Sequence, residues 1–227
     1  MNNLIPNDAI TLVQSHLRRH GLRGTIDAVT QKAREKAYLR ETHVWYELPL
    51  GTGRPRATLS PEFKLVRADY SHLPLLDQLS TAPPAVVARR RMESGADLWL
   101  VLDGQQLVFA CWIFHGSMPM LAAPGARLML PPEIVCLEDS LTSASYRGRG
   151  VAPAAWSEIA DALEPTGVEY IITKIEESNT ASRRAIVKSG FHESAIMHFQ
   201  LIGFWRRNLV QAMNGATADL LVKQLQH

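Results

Sequence analysis

The chain has 227 residues, with 24 Lys and Arg against 22 Asp and Glu and a formal net charge of +2. So small a positive excess does not favour a nucleic-acid partner, whose recognition needs concentrated Lys and Arg. No apolar stretch reaches the roughly 18 residues that a membrane span needs, and the polar start from Met1 to Asn3 is unlike a secretion signal. The sequence therefore predicts a cytoplasmic protein with no membrane span.

The two cysteines, Cys111 and Cys136, both lie within apolar, strand-like runs. This position is typical of core residues rather than of a disulfide framework or a cysteine-based metal site. We therefore expect no metal in this protein.

Apolar residues at helical spacing predict two helices between residues 8 and 40, separated by glycines. A strand is predicted over residues 43–50, and a linker rich in Gly, Pro and Arg follows over 51–61. We expect residues 1–60 to form an N-terminal helical appendage that carries one extra strand and the linker.

The first half of the predicted core, from residue 61, alternates helices and strands. Its elements are a strand at Phe63–Arg67, helices at 73–79 and 84–93, and strands at 98–102 and 107–114. The last two strands form a hairpin, because Asp103-Gly104 suits a tight turn whose twist matches paired strands. The loop over 115–132 is longer than a simple connection needs, which is typical of substrate contacts or a lid.

The second half of the core contains a strand within residues 133–141, a helix over 151–163 and a strand over 170–175. The helix makes the two strands parallel neighbours joined by a right-handed crossover. A strand over 195–205 closes the sheet, so that the core ends at residue 206, and residues 207–227 form a helix or tail.

The turn between the first strand and the helix has the sequence Tyr-Arg-Gly-Arg-Gly-Val-Ala over residues 146–152. Its two glycines leave room for backbone N–H groups to approach a ligand, and the helix directs its positive dipole end to the same point. The sequence predicts an anion site here, with a pyrophosphate as the expected ligand.

Two motifs resemble the GCN5-related N-acetyltransferase (GNAT) superfamily over roughly residues 60–206. Arg147-x-x-Gly150-x-Ala152 is similar to the Arg/Gln-x-x-Gly-x-Gly/Ala signature of the acetyl-CoA loop. Asn179, followed by Gly190-Phe191, is similar to the family's helix that opens with Asn and ends in Gly-Phe. The resemblance implies an α/β (α+β) fold, with a mixed, mainly antiparallel central sheet flanked by helices.

The resemblance also implies acetyl-CoA as co-substrate. The main chain of the loop would hold the pyrophosphate, the pantetheine arm would run beside the preceding strand, and Asn179 and Ser182 would face that arm. The residues expected to bind acetyl-CoA are Leu141, Thr142, Ser143, Arg147, Gly148, Arg149, Gly150, Val151, Ala152, Asn179 and Ser182.

In such enzymes a neutral amine attacks the thioester directly, so a proton acceptor is needed. We expect Glu138 in this role, because strand alternation places it beside apolar residues that raise a carboxyl pKa. Asp139 is the second candidate, since a bulge would exchange the two faces of the strand. Glu176, at the end of the next strand, is the third.

One position departs from the family pattern. Many members carry a Tyr four residues before the Gly-Phe and use it to protonate the leaving thiolate, but this chain has Ile186 there. Two possibilities remain open. Another donor, such as Ser182, Ser143 or a water, protonates the thiolate, or the thiolate leaves without assistance. His115 and His198 are further candidate donors.

The acceptor is expected to be a primary amine of a small molecule, such as an amino sugar, with Trp45, Tyr46 and Trp112 available either for stacking or for the core. A protein or peptide amine is the alternative within enzymes. An acyl-CoA-binding regulatory module without turnover is the alternative of another class. A homodimer, an acyl chain longer than acetyl and an acyl-carrier-protein donor stay open.

Overall fold

The computed structural model describes residues 38–51, 53–203 and 205–226. The two helices predicted between residues 8 and 40 lie almost entirely outside these residues. The described part is a mixed α/β fold whose central, mainly antiparallel sheet is flanked by helices, which confirms the predicted fold class.

In the described residues, eight strands form one large sheet and two more form a small separate hairpin. The strands are Tyr38–Pro49 (β1), Phe63–Arg67 (β2), Asp97–Asp103 (β3), Gln106–Phe114 (β4), Ser117–Pro119 (β5), Arg127–Met129 (β6), Ile134–Thr142 (β7), Tyr170–Glu176 (β8), His192–Ile202 (β9) and Trp205–Ala212 (β10). The α-helices are Ala85–Glu93 (α1), Val151–Leu163 (α2), Thr180–Lys188 (α3) and Ala218–Leu225 (α4), and Tyr70–Gln78 is a 3-10 helix.

The large sheet has the strand order β10-β9-β1-β8-β7-β4-β3-β2, and β5 pairs with β6 separately. β7 and β8 run parallel, with α2 as the connection between them, whereas the other neighbours in this order are antiparallel. The predicted Asp103-Gly104 turn joins β3 to β4, and the predicted parallel pair is present.

β1 lies inside the sheet, where it pairs with β8 on one side and β9 on the other. Both of its faces pack on apolar clusters: Val44 and Tyr46 lie in the cluster on one face and Trp45 in the cluster on the other. The sequence predicted this strand as part of the N-terminal appendage. In the structure it lies within the same sheet as the strands that follow residue 60. Trp45, Tyr46 and Trp112 are core residues.

Three further predictions need correction in the second half of the chain. The single closing strand over 195–205 is a hairpin of β9 and β10, because Gly203 adopts a positive φ and turns the chain. β10 therefore continues to Ala212, beyond the boundary predicted at residue 206. The loop over 115–132 contains β5 and β6, and Met118 and Leu128 anchor that hairpin in the core.

Glu47 of β1 ties the C-terminal segment to the sheet. Its buried carboxylate accepts hydrogen bonds from the backbone N–H groups of Ala216 and Thr217, from the Thr217 hydroxyl and from His192, at 2.6 to 2.9 Å. Burial alone would raise the pKa of Glu47, but these hydrogen bonds outweigh it and the pKa is lowered. An ionised carboxylate therefore fixes the start of α4.

We predict that Glu47→Gln lowers the free energy of unfolding at pH 7 by roughly 1.5–3 kcal/mol, because bonds to a charged acceptor are lost. A lowered pKa contributes stability above the unfolded value, and that contribution disappears as the pH falls through the folded value. Urea unfolding from pH 7 to pH 3 should therefore show the two proteins converging. The exposed Glu133→Gln is the control; an equal loss in it, or a difference that does not change with pH, would contradict this role.

Candidate active site

The parallel strands β7 and β8 separate partway along their length. They pair at Ile134–Tyr170, Val135–Ile171 and Cys136–Ile172, and no pairing continues between the described residues beyond these. The gap that opens is a cleft of about 890 Å³, bounded by β7, β8, α3 and the start of α2. Backbone N–H and C=O groups on the facing edges are thus available to a ligand that enters the gap.

A β-bulge lies on β7 at the edge of this cleft. Trp112 of β4 is opposite Glu138 and Ala110 is opposite Leu141, so that two residues of β7 face one residue of β4. Asp139 adopts a positive φ of 50°. The bulge exchanges the faces: Ser140 accepts a hydrogen bond from Trp156 on the α2 side, whereas Leu141 packs on the opposite side. Simple alternation along β7 would place Ser140 on the same face as Glu138 and Leu141 on the other face, and the bulge reverses both residues while Glu138 keeps its face.

The glycine turn leads directly into α2. Gly148 and Gly150 have φ values of 77° and 74°, and among the described residues only their direct chain neighbours come within 4 Å of where a Cβ on either would be. Gly150 is the N-cap of α2 and has no side chain to bond the first N–H groups of the helix. These free donors and the helix dipole make the turn a suitable site for an anion.

The arginines of the turn differ in their surroundings. Arg147 lines the cleft and its Nε donates to the carbonyl of Thr142. The guanidinium of Arg149 lies over the rings of Phe63 and Tyr146, at 5.5 and 5.1 Å from their centres, and Arg149 does not line the cleft. The sequence predicted both arginines as acetyl-CoA-binding residues, but only Arg147 lines the cleft.

α3 closes the opposite wall of the cleft. Asn179 is its N-cap, and its side chain accepts a hydrogen bond from the N–H of Ser182 at 3.2 Å. Ile186 also lines the cleft and is 1 % exposed. Ile186, which stands where the sequence resemblance implies a proton-donating Tyr, therefore lines the cleft but has no proton to donate.

Most predicted binding residues line the cleft, and Ser143 joins Arg149 as an exception. Its N–H is bonded to Val108 of β4, and its hydroxyl lies 3.3 Å from that of Ser145. The lining residues are Leu141, Thr142, Arg147, Gly148, Gly150, Val151, Ala152, Asn179 and Ser182.

Glu138 is paired across the cleft with Lys174 of β8. The Lys174 ammonium donates to Glu138 Oε2 at 2.7 Å, and the two side chains are 20 % and 14 % exposed. Burial raises the pKa of Glu138, although Lys174 opposes the rise. The pKa of Lys174 is also raised, because the pairing with Glu138 outweighs the lowering that burial alone would cause.

The other two predicted carboxylates also line the cleft. Asp139 accepts a hydrogen bond from Arg91 of α1 at 2.6 Å, and the Arg91 guanidinium lies over the rings of Trp112 and Phe114. Glu176 is paired in register with His43 of β1. Burial, followed by the charge of Lys174, lowers the pKa of His43 to about 4, so this imidazole is neutral at pH 7.

Lys174, Arg91 and His43 were not predicted from the sequence. Lys174 could have been found, since alternation along β8 places it on the face of Ile172 and two residues beyond it. Arg91 and His43 reach the site through a helix and a strand that are distant in the chain. Of the two histidines considered, His115 pairs with Asp97, and His198 bonds to Thr42.

No group of His, Cys, Asp and Glu among residues 38–51, 53–203 and 205–226 is arranged to hold a metal ion. In the same part of the chain, no helix combines the length and the apolar character needed to cross a membrane.

Solved structures with the same fold come from several bacteria. A GCN5-related N-acetyltransferase from Sphaerobacter thermophilus is 13 % identical, with a TM-score of 0.53 over 86 % of this chain and 59 % of that one. An acetyltransferase from the GNAT family of Colwellia psychrerythraea is 15 % identical, with a TM-score of 0.52 over 72 % and 56 %. This chain thus spans less than two thirds of either. At these identities the likeness shows the fold alone.

Sequence comparison gives the family. A search of curated proteins found no match. The model of the acetyltransferase (GNAT) family matches residues 75–191, which is more than half of the chain and includes the cleft between β7 and β8. The chain therefore belongs to the GNAT acetyltransferase family.

Proposed function

We propose that the protein is an N-acetyltransferase that moves the acetyl group of acetyl-CoA to a primary amine of a small molecule. The observation that carries the proposal is the cleft between β7 and β8, which leads from the uncapped start of α2 to a buried carboxylate. A long ligand with an anionic end and a reactive end fits such a site. Its anionic end would lie at the start of α2, and its reactive end would lie beside the carboxylate.

In the proposed complex the pyrophosphate lies on the backbone N–H groups of the turn from Arg147 to Ala152. The pantetheine arm extends along Leu141 and Thr142, where its amide groups replace the missing strand pairing. Asn179 and Ser182 face the arm from α3. Arg184 and Lys188, which also line the cleft, add positive charge near the phosphates.

The chemistry proposed for this site is direct attack of the neutral amine on the thioester carbonyl. Glu138 accepts the proton of the amine, with Asp139 and Glu176 as alternatives. Glu138 suits the role best because its raised pKa lies nearer the working pH than that of an ordinary carboxyl group. Asp139 is engaged by Arg91, and Glu176 is exposed at the end of β8.

A second candidate function is a regulatory module that binds acyl-CoA without turnover, which Ile186 favours. The two are separated by following free-thiol release from acetyl-CoA over a panel of amines, including amino sugars and a peptide α-amine. Amine-dependent release supports the enzyme. Tight binding of CoA without release under any of these conditions would support the module instead.

We predict that Gly150→Ala weakens CoA binding at least tenfold in calorimetry, because an Ala at this positive φ shifts the backbone donors of the turn. Gly167→Ala is the matched control: Gly167 has a φ of 88° and equally open space, but it lies at the other end of α2. Both variants should lose about 1 kcal/mol of stability from the same backbone strain. An unchanged CoA affinity in Gly150→Ala would contradict the proposed phosphate site.

For Glu138→Gln we predict a turnover lower by roughly 10²–10⁴-fold, with CoA affinity nearly unchanged. A general base acts only when deprotonated, so wild-type activity falls as the pH drops through the pKa of Glu138. That acidic limb should vanish in Glu138→Gln and persist in Glu169→Gln, which is exposed at the far end of the strand. If the limb persists in Glu138→Gln, the role passes to Asp139 or Glu176.

A further inference from the structure

The described cleft offers no proton donor at the position where Ile186 stands, yet the departing thiolate of CoA is a base. A thiol of this kind has a pKa of about 8.5, so at neutral pH the departing sulfur takes up a proton. The proton donor is therefore expected among the polar side chains nearest to the reactive end of the cleft. Lys174 is such a side chain and lines the cleft.

The Lys174–Glu138 pair lies where the two strands part. Glu138 is two residues beyond Cys136 and Lys174 two residues beyond Ile172, the last residues that pair across the gap. The 2.7 Å contact between their side chains thus bridges the narrow end of the cleft. From Thr142 back to Glu138 the strand covers about 13 Å, and a ligand arm laid along this stretch ends at the ion pair.

We propose that Lys174 is the general acid of the reaction and protonates the departing thiolate, while Glu138 receives the proton of the attacking amine. The assignment rests on the proposed function, since it needs acetyl-CoA in the cleft. It gives the site the proton donor that Ile186 cannot be. It also gives the ion pair a role in the chemistry rather than in strand packing alone.

The protons and electron pairs balance over one turnover. The amine lone pair forms the C–N bond, and the nitrogen loses a proton to the Glu138 carboxylate. The C–S bond breaks, its electron pair stays on sulfur, and the sulfur takes a proton from the Lys174 ammonium. Protonated Glu138 then returns its proton to the Lys174 amine across their hydrogen bond, so that both groups regain their starting charges.

The ion pair with Glu138 makes the pKa of Lys174 depend on the stage of the reaction. Its pKa is held up by the negative charge of Glu138 against the opposing effect of burial. When Glu138 takes the amine's proton, that charge disappears while the effect of burial stays, so the pKa of Lys174 falls. The ammonium becomes a better acid at the step when the thiolate needs a proton.

Other titratable groups surround the pair. Cys136 and Asp139 lie beside it on β7, and Glu41 and His43 of β1 lie close enough for the charge of Lys174 to lower their pKa values. The Cys136 thiol, whose pKa burial raises well above its ordinary value, and the neutral His43 add no charge at pH 7, whereas the carboxylates of Glu41 and Asp139 add negative charge. These carboxylates stabilise the ammonium form of Lys174 before the reaction begins.

The first test needs no acceptor. CoA is bound to Glu138→Gln and to Glu138→Gln/Lys174→Met, and the ultraviolet absorbance of the bound thiolate is followed with pH. Lys174 without its partner should lower the thiol pKa of bound CoA by about 1–3 units relative to the double variant. Equal values would place Lys174 away from the sulfur and overturn the proposal.

The second test separates proton donation from charge, using the amine that gives the fastest thiol release in the panel. Lys174→Arg keeps a positive charge and an ion pair, but a guanidinium does not release its proton. We expect kcat to fall roughly 10²–10⁴-fold with acetyl-CoA and much less with the selenoester analogue, whose selenolate leaves without a proton. The exposed Lys64→Met is the control and keeps wild-type kcat.

The outcomes are distinct. Wild-type kcat in Lys174→Arg, or an equal defect with both donors, would assign the pair to packing and overturn the proposal. A wild-type protein that binds no CoA in calorimetry would remove the proposed function itself. CoA binding without any effect of Lys174 on the thiol would remove only the assignment of Lys174.

Discussion

The parting of β7 and β8 is the constraint on which the rest of the site depends. After Cys136 and Ile172 the facing backbone groups no longer bond to each other. Unpaired polar backbone groups in a protein interior are costly unless water or a ligand satisfies them. The cleft that results is therefore lined with donors and acceptors that side chains did not have to supply.

Three other local features shape this gap. The positive φ of Gly150 lets α2 begin at the mouth of the cleft, so that its dipole points into it. The bulge at Asp139 turns Ser140 toward Trp156 while Glu138 keeps facing Lys174. Asn179 caps α3 on the other side. Each is a local device, and all act on the same opening.

The sequence predicted much of this because its signals are local. Glycines in a turn before an amphipathic helix, an Asp-Gly turn between two apolar strands and an Asn at a helix start all work over a few residues. The residues between Leu141 and Ala152 that line the cleft lie close together in the chain, so recognising the turn was enough to predict most of this wall of the cleft. Arg149 and Ser143 are the exceptions, since Arg149 stacks on Phe63 and Ser143 bonds to Val108, and both partners are far away in sequence.

What the sequence could not supply depends on distant pairing. Alternation along residues 43–50 predicts a strand but does not say which strands flank it, and only the fold places β1 between β8 and β9. The same holds for Lys174 and Arg91, whose partners are Glu138 and Asp139. The local sequence around a charged residue does not show which oppositely charged residue the fold will place beside it.

A crystal structure of the protein with CoA tests the central claim most directly. The account predicts the pyrophosphate on the backbone N–H groups from Arg147 to Ala152 and the pantetheine arm between β7 and β8, with its sulfur near the Lys174–Glu138 pair. CoA bound elsewhere, for example in the groove beside Tyr46 and Arg183, or a cleft that stays filled with water at saturating CoA, would contradict it.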